Sequence, residues 1–181
     1  MEFVILGLLM IRALTQYDIR GILQRKVSPF YSASLGSIQA ALKKLESSGH
    51  VICREENGSG RRRKVYSITE SGRAHFLEWM MSPMAPARLE QDAPTKLFFL
   101  GHLTPNERLS VVRQIIALLK GSVEGFEAAS EEAGQKAIPE ELREIARFQL
   151  KTMELGMYYH KSMLAWFEHL ELELEGDGDA D

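Results

Sequence analysis

The sequence predicts a mainly α-helical protein with one small β-hairpin, built in two parts. Three observations carry this. Helical periodicity dominates the 181 residues. One pair of strand-prone segments, 51–54 and 64–68, flanks the turn-forming run Asn57-Gly58-Ser59-Gly60. Three prolines, Pro83, Pro86 and Pro94, separate two helical regions of opposite charge. Residues 1–80 carry 12 Lys+Arg against 7 Asp+Glu, a net of +5, and the remainder carries 10 against 18, a net of −8. That asymmetry points to a polyanionic partner for the first part only.

In chain order, residues 3–11 are apolar nearly all round and read as a buried helix. At nine residues, with Arg12 closing it, this run is too short to cross a bilayer. Thr15 caps a second helix, with Asp18 three positions on as the acidic member of the cap, and the helix is expected to reach about Lys26. Pro29 marks a short loop. A third helix starts near Ser34. Its buried stripe is Leu35, Ile38, Leu42 and Leu45, and Gly49 ends it in a left-handed cap. Three short helices joined by turns form the skeleton of a helix-turn-helix. The hairpin follows, and Thr69 opens a fourth helix to about Met81. Adding a hairpin after the third helix makes the unit a winged helix-turn-helix.

Residues 82–94 read as a linker. Beyond it, a short helix holds Leu97, Phe98, Phe99 and Leu100. Thr104, Pro105 and Glu107 open a longer one with a stripe of Leu109, Val112, Ile116, Leu119, Val123 and Phe126. Pro139 opens a third, about 35 residues and roughly 50 Å long. It has two apolar faces. Ala146, Met153, Met163, Phe167 and Leu170 keep a heptad-like seam, while Ile145, Phe148, Leu155, Tyr159 and Trp166 lie beside it. One antiparallel neighbour covers only one stripe, so a second copy is expected on the other. The expected organisation is therefore a DNA-binding domain over 1–81, a linker over 82–94, a helical dimerisation domain over 95–173 and a disordered acidic tail over 174–181.

The most informative stretch is Arg61-Arg62-Arg63-Lys64, four consecutive cations leaving a glycine-containing hairpin tip. Long basic side chains there can clamp DNA phosphates or straddle a minor groove. The plain alternative is a charged edge strand that resists aggregation, but four like charges without an interleaved acid repel one another. The third helix is the element for the major groove, with Ser34, Ser37, Gln39 and Lys43 able to reach base edges and phosphates.

Four stretches resemble the PadR family of bacterial transcriptional regulators. They are Leu6-Gly7-Leu8-Leu9; Gln16-Tyr17-Asp18-Ile19; Gly36-Ser37-Ile38 with Leu42-Lys43-Lys44-Leu45-Glu46 and Gly49; and the run from Arg61 through Val65-Tyr66-Ser67-Ile68-Thr69-Glu70-Ser71-Gly72-Arg73. The C-terminal half is similar to the helical domain of the family's virulence-activator branch, through Lys96-Leu97-Phe98-Phe99 and Trp166. The resemblance implies a homodimer that binds double-stranded DNA and represses or activates nearby genes. The expectation is a cytoplasmic repressor, and two-fold symmetry leads to an inverted-repeat operator. By matching position, Tyr17, Lys43, Lys44, Arg61, Arg62, Arg63 and Lys64 contact phosphates. Some members of the family resemble sensors of phenolic compounds or planar drugs, and others have no known ligand. If a small aromatic effector exists here, Trp79, Phe98, Phe99, Tyr158 and Trp166 are the lining candidates, the alternative being that they pack the core and the dimer. Met153, Tyr159, Met163, Trp166, Phe167 and Leu170 are expected at the dimer interface. The chain departs from the family pattern at Gln39, where a tyrosine is frequent, so base preference is not carried over.

Other chemistry finds little support. Five histidines are scattered, and His50 with Cys53 falls far short of a four-ligand zinc site. No phosphate-binding glycine loop or Ser/His/Asp motif appears, so no cofactor, metal or enzymatic activity is expected. Two rival functions remain open on sequence grounds: a winged-helix module whose basic wing binds an acidic protein, and a ligand-binding helical dimer with secondary DNA binding.

Overall fold

A computed structural model describes residues 1–27, 34–58, 61–135 and 137–178. The loop expected around Pro29 lies outside the described residues. The elements are α1 (Glu2–Ile11), β1 (Leu14–Thr15), α2 (Gln16–Ile22), α3 (Leu35–Ser47), β2 (Val51–Gly58), β3 (Arg61–Ile68), α4 (Glu70–Met81), α5 (Leu89–Phe98), α6 (Pro105–Gly134) and α7 (Arg143–Gly178). They divide into two compact units. The first is Met1–Ser82 with Glu90–Leu103, and the second is Pro83–Leu89 with the chain from Thr104 onward.

In the first unit, α1 is apolar enough to be buried along Val4, Ile5, Leu6, Leu8 and Leu9. Ile19, Ile38, Leu42, Leu45, Val51, Phe76 and Met80 complete the core. Thr15 caps α2 reciprocally. The Asp18 N–H donates to Thr15 Oγ1 at 3.1 Å, and the Thr15 N–H donates to Asp18 Oδ2 at 3.0 Å. The α-helix stops at Ile22 rather than near Lys26, because Leu23–Val27 continues as a π-helical turn. Ser34 caps α3 by accepting from the Ser37 N–H, and Gly49 ends it at φ 72°, a left-handed conformation that glycine adopts without Cβ strain. Gly72 is needed for a different reason: a Cβ there would stand 2.1 Å from the His50 carbonyl oxygen.

The sheet is antiparallel in the order β1-β3-β2. The two-residue strand β1, which periodicity does not reveal, pairs Leu14 with Tyr66 and Thr15 with Val65. The wing strands are longer than the strand-prone cores 51–54 and 64–68, because the ladder continues to Gly58 opposite Arg61.

The regular helix α5 starts at Leu89, inside the stretch 82–94 expected to be a linker, and ends at Phe98, within the run 97–100 expected to be helical. Pro94, the sixth of its ten residues, removes one backbone N–H donor from the helix interior. The segment 90–103 belongs to the first unit's core. Phe99 is 1% exposed, meets Phe76 edge-on at 5.5 Å, and fills the space that a Cβ on Gly7 would occupy, 2.6 Å away. Lys96 is equally buried. Its Nζ donates to the Ser82 carbonyl at 2.6 Å and lies 5.4 Å from the Trp79 ring centroid. Burial pushes its ammonium below the usual lysine range, and the Asp92 carboxylate opposes that shift.

The second unit is an antiparallel pair, α6 against α7. Thr104 and Glu107 form the capping box of α6, with Pro105 in its first turn. Gly156 lets Phe126 approach to within 3.0 Å of a Cβ position, and Phe126 also meets His160 at 5.1 Å. Arg113 donates to Glu171 at 2.7 Å and to Glu175 at 2.6 Å, and Lys120 pairs with Glu168 at 3.0 Å. Helix α7 runs to Gly178, into the acidic segment expected to be disordered from residue 174, and Glu175 within it is paired with Arg113. Among the described residues no helix is long and apolar enough to cross a membrane.

Candidate nucleic-acid interface

Tyr17 stands in the first turn of α2 and is 74% exposed. Because β1 pairs with β3, this turn is carried beside the wing strand. The result is a groove of about 580 Å³ lined by Thr15, Gln16, Tyr17 and Asp18 on one wall and by Arg62, Arg63, Lys64 and Tyr66 on the other. Arg62, Arg63 and Lys64 are exposed. The side chain of Arg61 lies outside the described residues. Asp18 is the acidic exception in the groove. Its hydrogen bonds to Thr15 hold its carboxyl below the usual aspartate range, with Arg12 and Arg63 adding to that. It is therefore an ionised cap rather than a free acid, and its lone pairs face the helix start.

Tyr66 is buried at the floor of this sheet, paired across the ladder with Cys53. Burial, followed by the Cys53 thiol and its hydrogen bond, pushes the Tyr66 phenol above its ordinary value. The phenol is accordingly a neutral structural group.

The wing is not the uncompensated cation run that four consecutive basic residues suggest. The register sets Glu55 opposite Lys64 and Glu56 opposite Arg63, and Arg62 reaches Glu55 at 3.6 Å. These acids lie six or more residues earlier in the chain, so local charge counting misses them. Pairing the hairpin outward from its turn would have found them. All the groups are exposed, so the pairs contribute little to stability and yield readily to a stronger anion.

On α3, Ile38, Ala41, Leu42 and Leu45 face the core, and Gln39, Lys43 and Lys44 are exposed. Ser34 and Ser37 are exposed too, but their hydroxyls are engaged in the cap: Ser37 Oγ donates to the Ser34 carbonyl at 2.8 Å, and Ser34 Oγ accepts from the Ser37 N–H at 3.1 Å. Lys44 is held by Glu2 at 2.9 Å. Gln16 is not singled out by the charge pattern, yet its Nε2 donates to the Leu35 carbonyl at 3.1 Å, joining the start of α2 to the start of α3.

The aromatic candidates divide between the units. Trp79, Phe98 and Phe99 lie in the first; Trp79 stacks on Phe3 at 4.7 Å, and Phe98 meets Phe99 edge-on at 4.9 Å. Tyr158 and Trp166 lie on α7 in the second, both exposed. Of the expected interface residues on α7, Phe167 is buried within the protomer, Met153, Met163 and Leu170 are half-buried, and Tyr159 and Trp166 are exposed.

Three helices, a basic hairpin and a C-terminal helical pair define the class: a winged helix-turn-helix protein with an appended helical region. Within that class, residues 5–78 are a domain of the transcriptional regulator PadR-like family, and residues 91–175 match the virulence activator alpha C-term model. That family comprises transcriptional regulators, not enzymes. The chain is 21% identical over 179 residues to the negative transcriptional regulator PadR of Bacillus subtilis (strain 168), covering 98% of each chain. Among solved structures, it is similar to Bacillus subtilis PadR in complex with operator DNA, at 20% identity, 96% and 98% coverage and a TM-score of 0.46. It is also similar to the same protein in complex with p-coumaric acid, at 21% identity, 96% and 94% coverage and a TM-score of 0.42.

Proposed function

We propose that this regulator is a cytoplasmic homodimeric repressor that binds an inverted-repeat operator. In this reading α3 enters the major groove with Gln39 and Lys43 foremost, while Ser34 and Ser37 flank its start. The observation that carries the proposal is the groove in which Tyr17 faces Arg62, Arg63 and Lys64, a phenol and three cations along one wall-to-wall path suited to a phosphate backbone. Lys44 extends the basic surface by exchanging Glu2 for a phosphate, and Arg61 is assigned to the same phosphate contacts from its place in the sequence. Repression is the sense borne by the name of the Bacillus subtilis relative. A protein-interaction module would use the same cations, but the PadR-like domain favours DNA.

Dimerisation rests on α7. Phe148, Leu155, Tyr159 and Trp166 recur at spacings of seven, four and seven, a coiled-coil seam, and all four are exposed in the protomer. An apolar stripe of that length is more than soluble monomers usually leave in water. The proposal includes a small aromatic effector, for which Phe98 in the first unit, or Tyr158 and Trp166 in the second, supply exposed rings; Trp79 is half-buried and Phe99 is committed to the core.

The test is fluorescence anisotropy with DNA from upstream of its own gene and a shuffled duplex of equal length. Replacing Arg62, Arg63 and Lys64 together with alanine is expected to weaken both. The slope of log affinity against log salt should fall by about 0.9 for each phosphate that the variant no longer neutralises. Unchanged binding to both duplexes by a folded variant would remove the wing from the interface.

A further inference from the structure

We propose that Gln16 is a positioning residue that fixes the recognition helix α3 relative to the wing, and so sets discrimination between operator and random DNA. The inference rests on the DNA-binding reading above. Thr15 is paired with Val65 of the wing strand, and its reciprocal cap with Asp18 rigidifies the first turn of α2. Gln16 is the next residue. Its side-chain amide donates to the backbone carbonyl of Leu35, the first residue of α3, at 3.1 Å in a partly buried setting. One turn further along α3 stands Gln39, and Lys43 follows on the same exposed face. A continuous run of hydrogen bonds therefore leads from β3 through β1 and the start of α2 to the start of α3.

The two DNA-facing elements have different tolerances. Phosphate contacts by long basic side chains accommodate a small shift of the protein, whereas base-edge hydrogen bonds weaken steeply as angle and distance change. A tie between α2 and α3 thus matters most for base contacts. The Gln16 side chain also lines the groove, so a direct phosphate contact is the rival role, and it has a different signature.

The experiment uses the full chain, with the operator fragment defined by footprinting and a shuffled duplex of equal length. Gln16→Met keeps the length of the side chain but removes the donor. Operator affinity should fall about three- to tenfold, the range of one net hydrogen bond, while shuffled-duplex affinity stays within about twofold. Gln16→Lys restores a donor and should recover most of the operator-to-shuffled ratio. Gln16→Glu, which also lacks the donor, should lose the ratio as the methionine variant does, and it serves if that variant is not folded by circular dichroism. Equal losses on both duplexes would make Gln16 a phosphate contact and overturn the proposal, as would an unchanged ratio in both donor-less variants. If the wild-type chain itself showed no preference for any upstream DNA, the DNA-binding reading would fall, and this inference with it.

Discussion

Replacing Phe99 with alanine should unfold the DNA-binding unit at a markedly lower temperature, although Phe99 lies outside the helix-turn-helix and the wing. Its ring is 1% exposed, packs edge-on against Phe76 at 5.5 Å, and occupies the space left by the missing side chain of Gly7 on α1. Gly7 and Phe76, which flank that volume, belong to helices packed into the same core. A buried Phe→Ala change typically costs about 3–5 kcal/mol. The first unit comprises residues 1–82 and 90–103, 96 residues in all. For a unit of that size each kcal/mol moves the melting temperature by roughly 4–8 °C, so a fall of at least about 12 °C is expected. The assay is thermal unfolding followed by far-UV circular dichroism, with the near-UV signal of Trp79 reporting on the same unit. A fall below about 3 °C would refute the reasoning that 90–103 completes this core.

Further expectations concern a close approach, a cap and the seam of α7. Gly72→Ala should destabilise by more than a surface change does, because its Cβ would meet the His50 carbonyl at 2.1 Å; a melting temperature equal to wild type would show the backbone yields there. Asp18 has a folded pKa held below its unfolded value of 3.8 by Thr15, so its contribution is fully present above that value and fades as pH falls through the lower folded one. Thr15→Ala should accordingly cost about 0.5–2 kcal/mol near neutral pH and progressively less below pH 3.8, read from urea unfolding at several pH values. A cost independent of pH would mean the carboxylate is not the group involved. Phe148→Glu combined with Trp166→Glu should give a monomer by sedimentation equilibrium at low micromolar concentration. A dimer that persists would place the interface away from this seam.

Much of the fold is legible in the sequence because its signals are local. Thr15 with Asp18, Ser34, Gly49, Thr69 and Thr104 with Glu107 each mark a helix end through contacts within four residues, and each does so in the structure. Features set by distant pairing are not legible in this way. Strand β1 is two residues long and exists only because β3 offers its edge, and Glu55 and Glu56 face the wing cations only through the hairpin register. Proline content suggests a break over 82–94, yet Pro94 sits inside α5, whose following segment is drawn into the first unit's core by Lys96 and Phe99. The acidic end of α7 reads as unstructured from composition alone, and its pairing of Glu171 and Glu175 with Arg113, some sixty positions earlier, is not visible locally. The basic stretch and Tyr17 are legible as separate features. Their meeting across one groove is not, because it depends on β1.

The central claim is that this chain reads a two-fold DNA site with α3 and the wing, and hydroxyl-radical footprinting of the DNA upstream of its own gene tests it most directly. The account predicts a discrete protected region organised as an imperfect inverted repeat, its two half-sites on one face of the duplex about 34 Å apart. Diffuse protection that appears only at concentrations saturating a shuffled duplex equally well would contradict it.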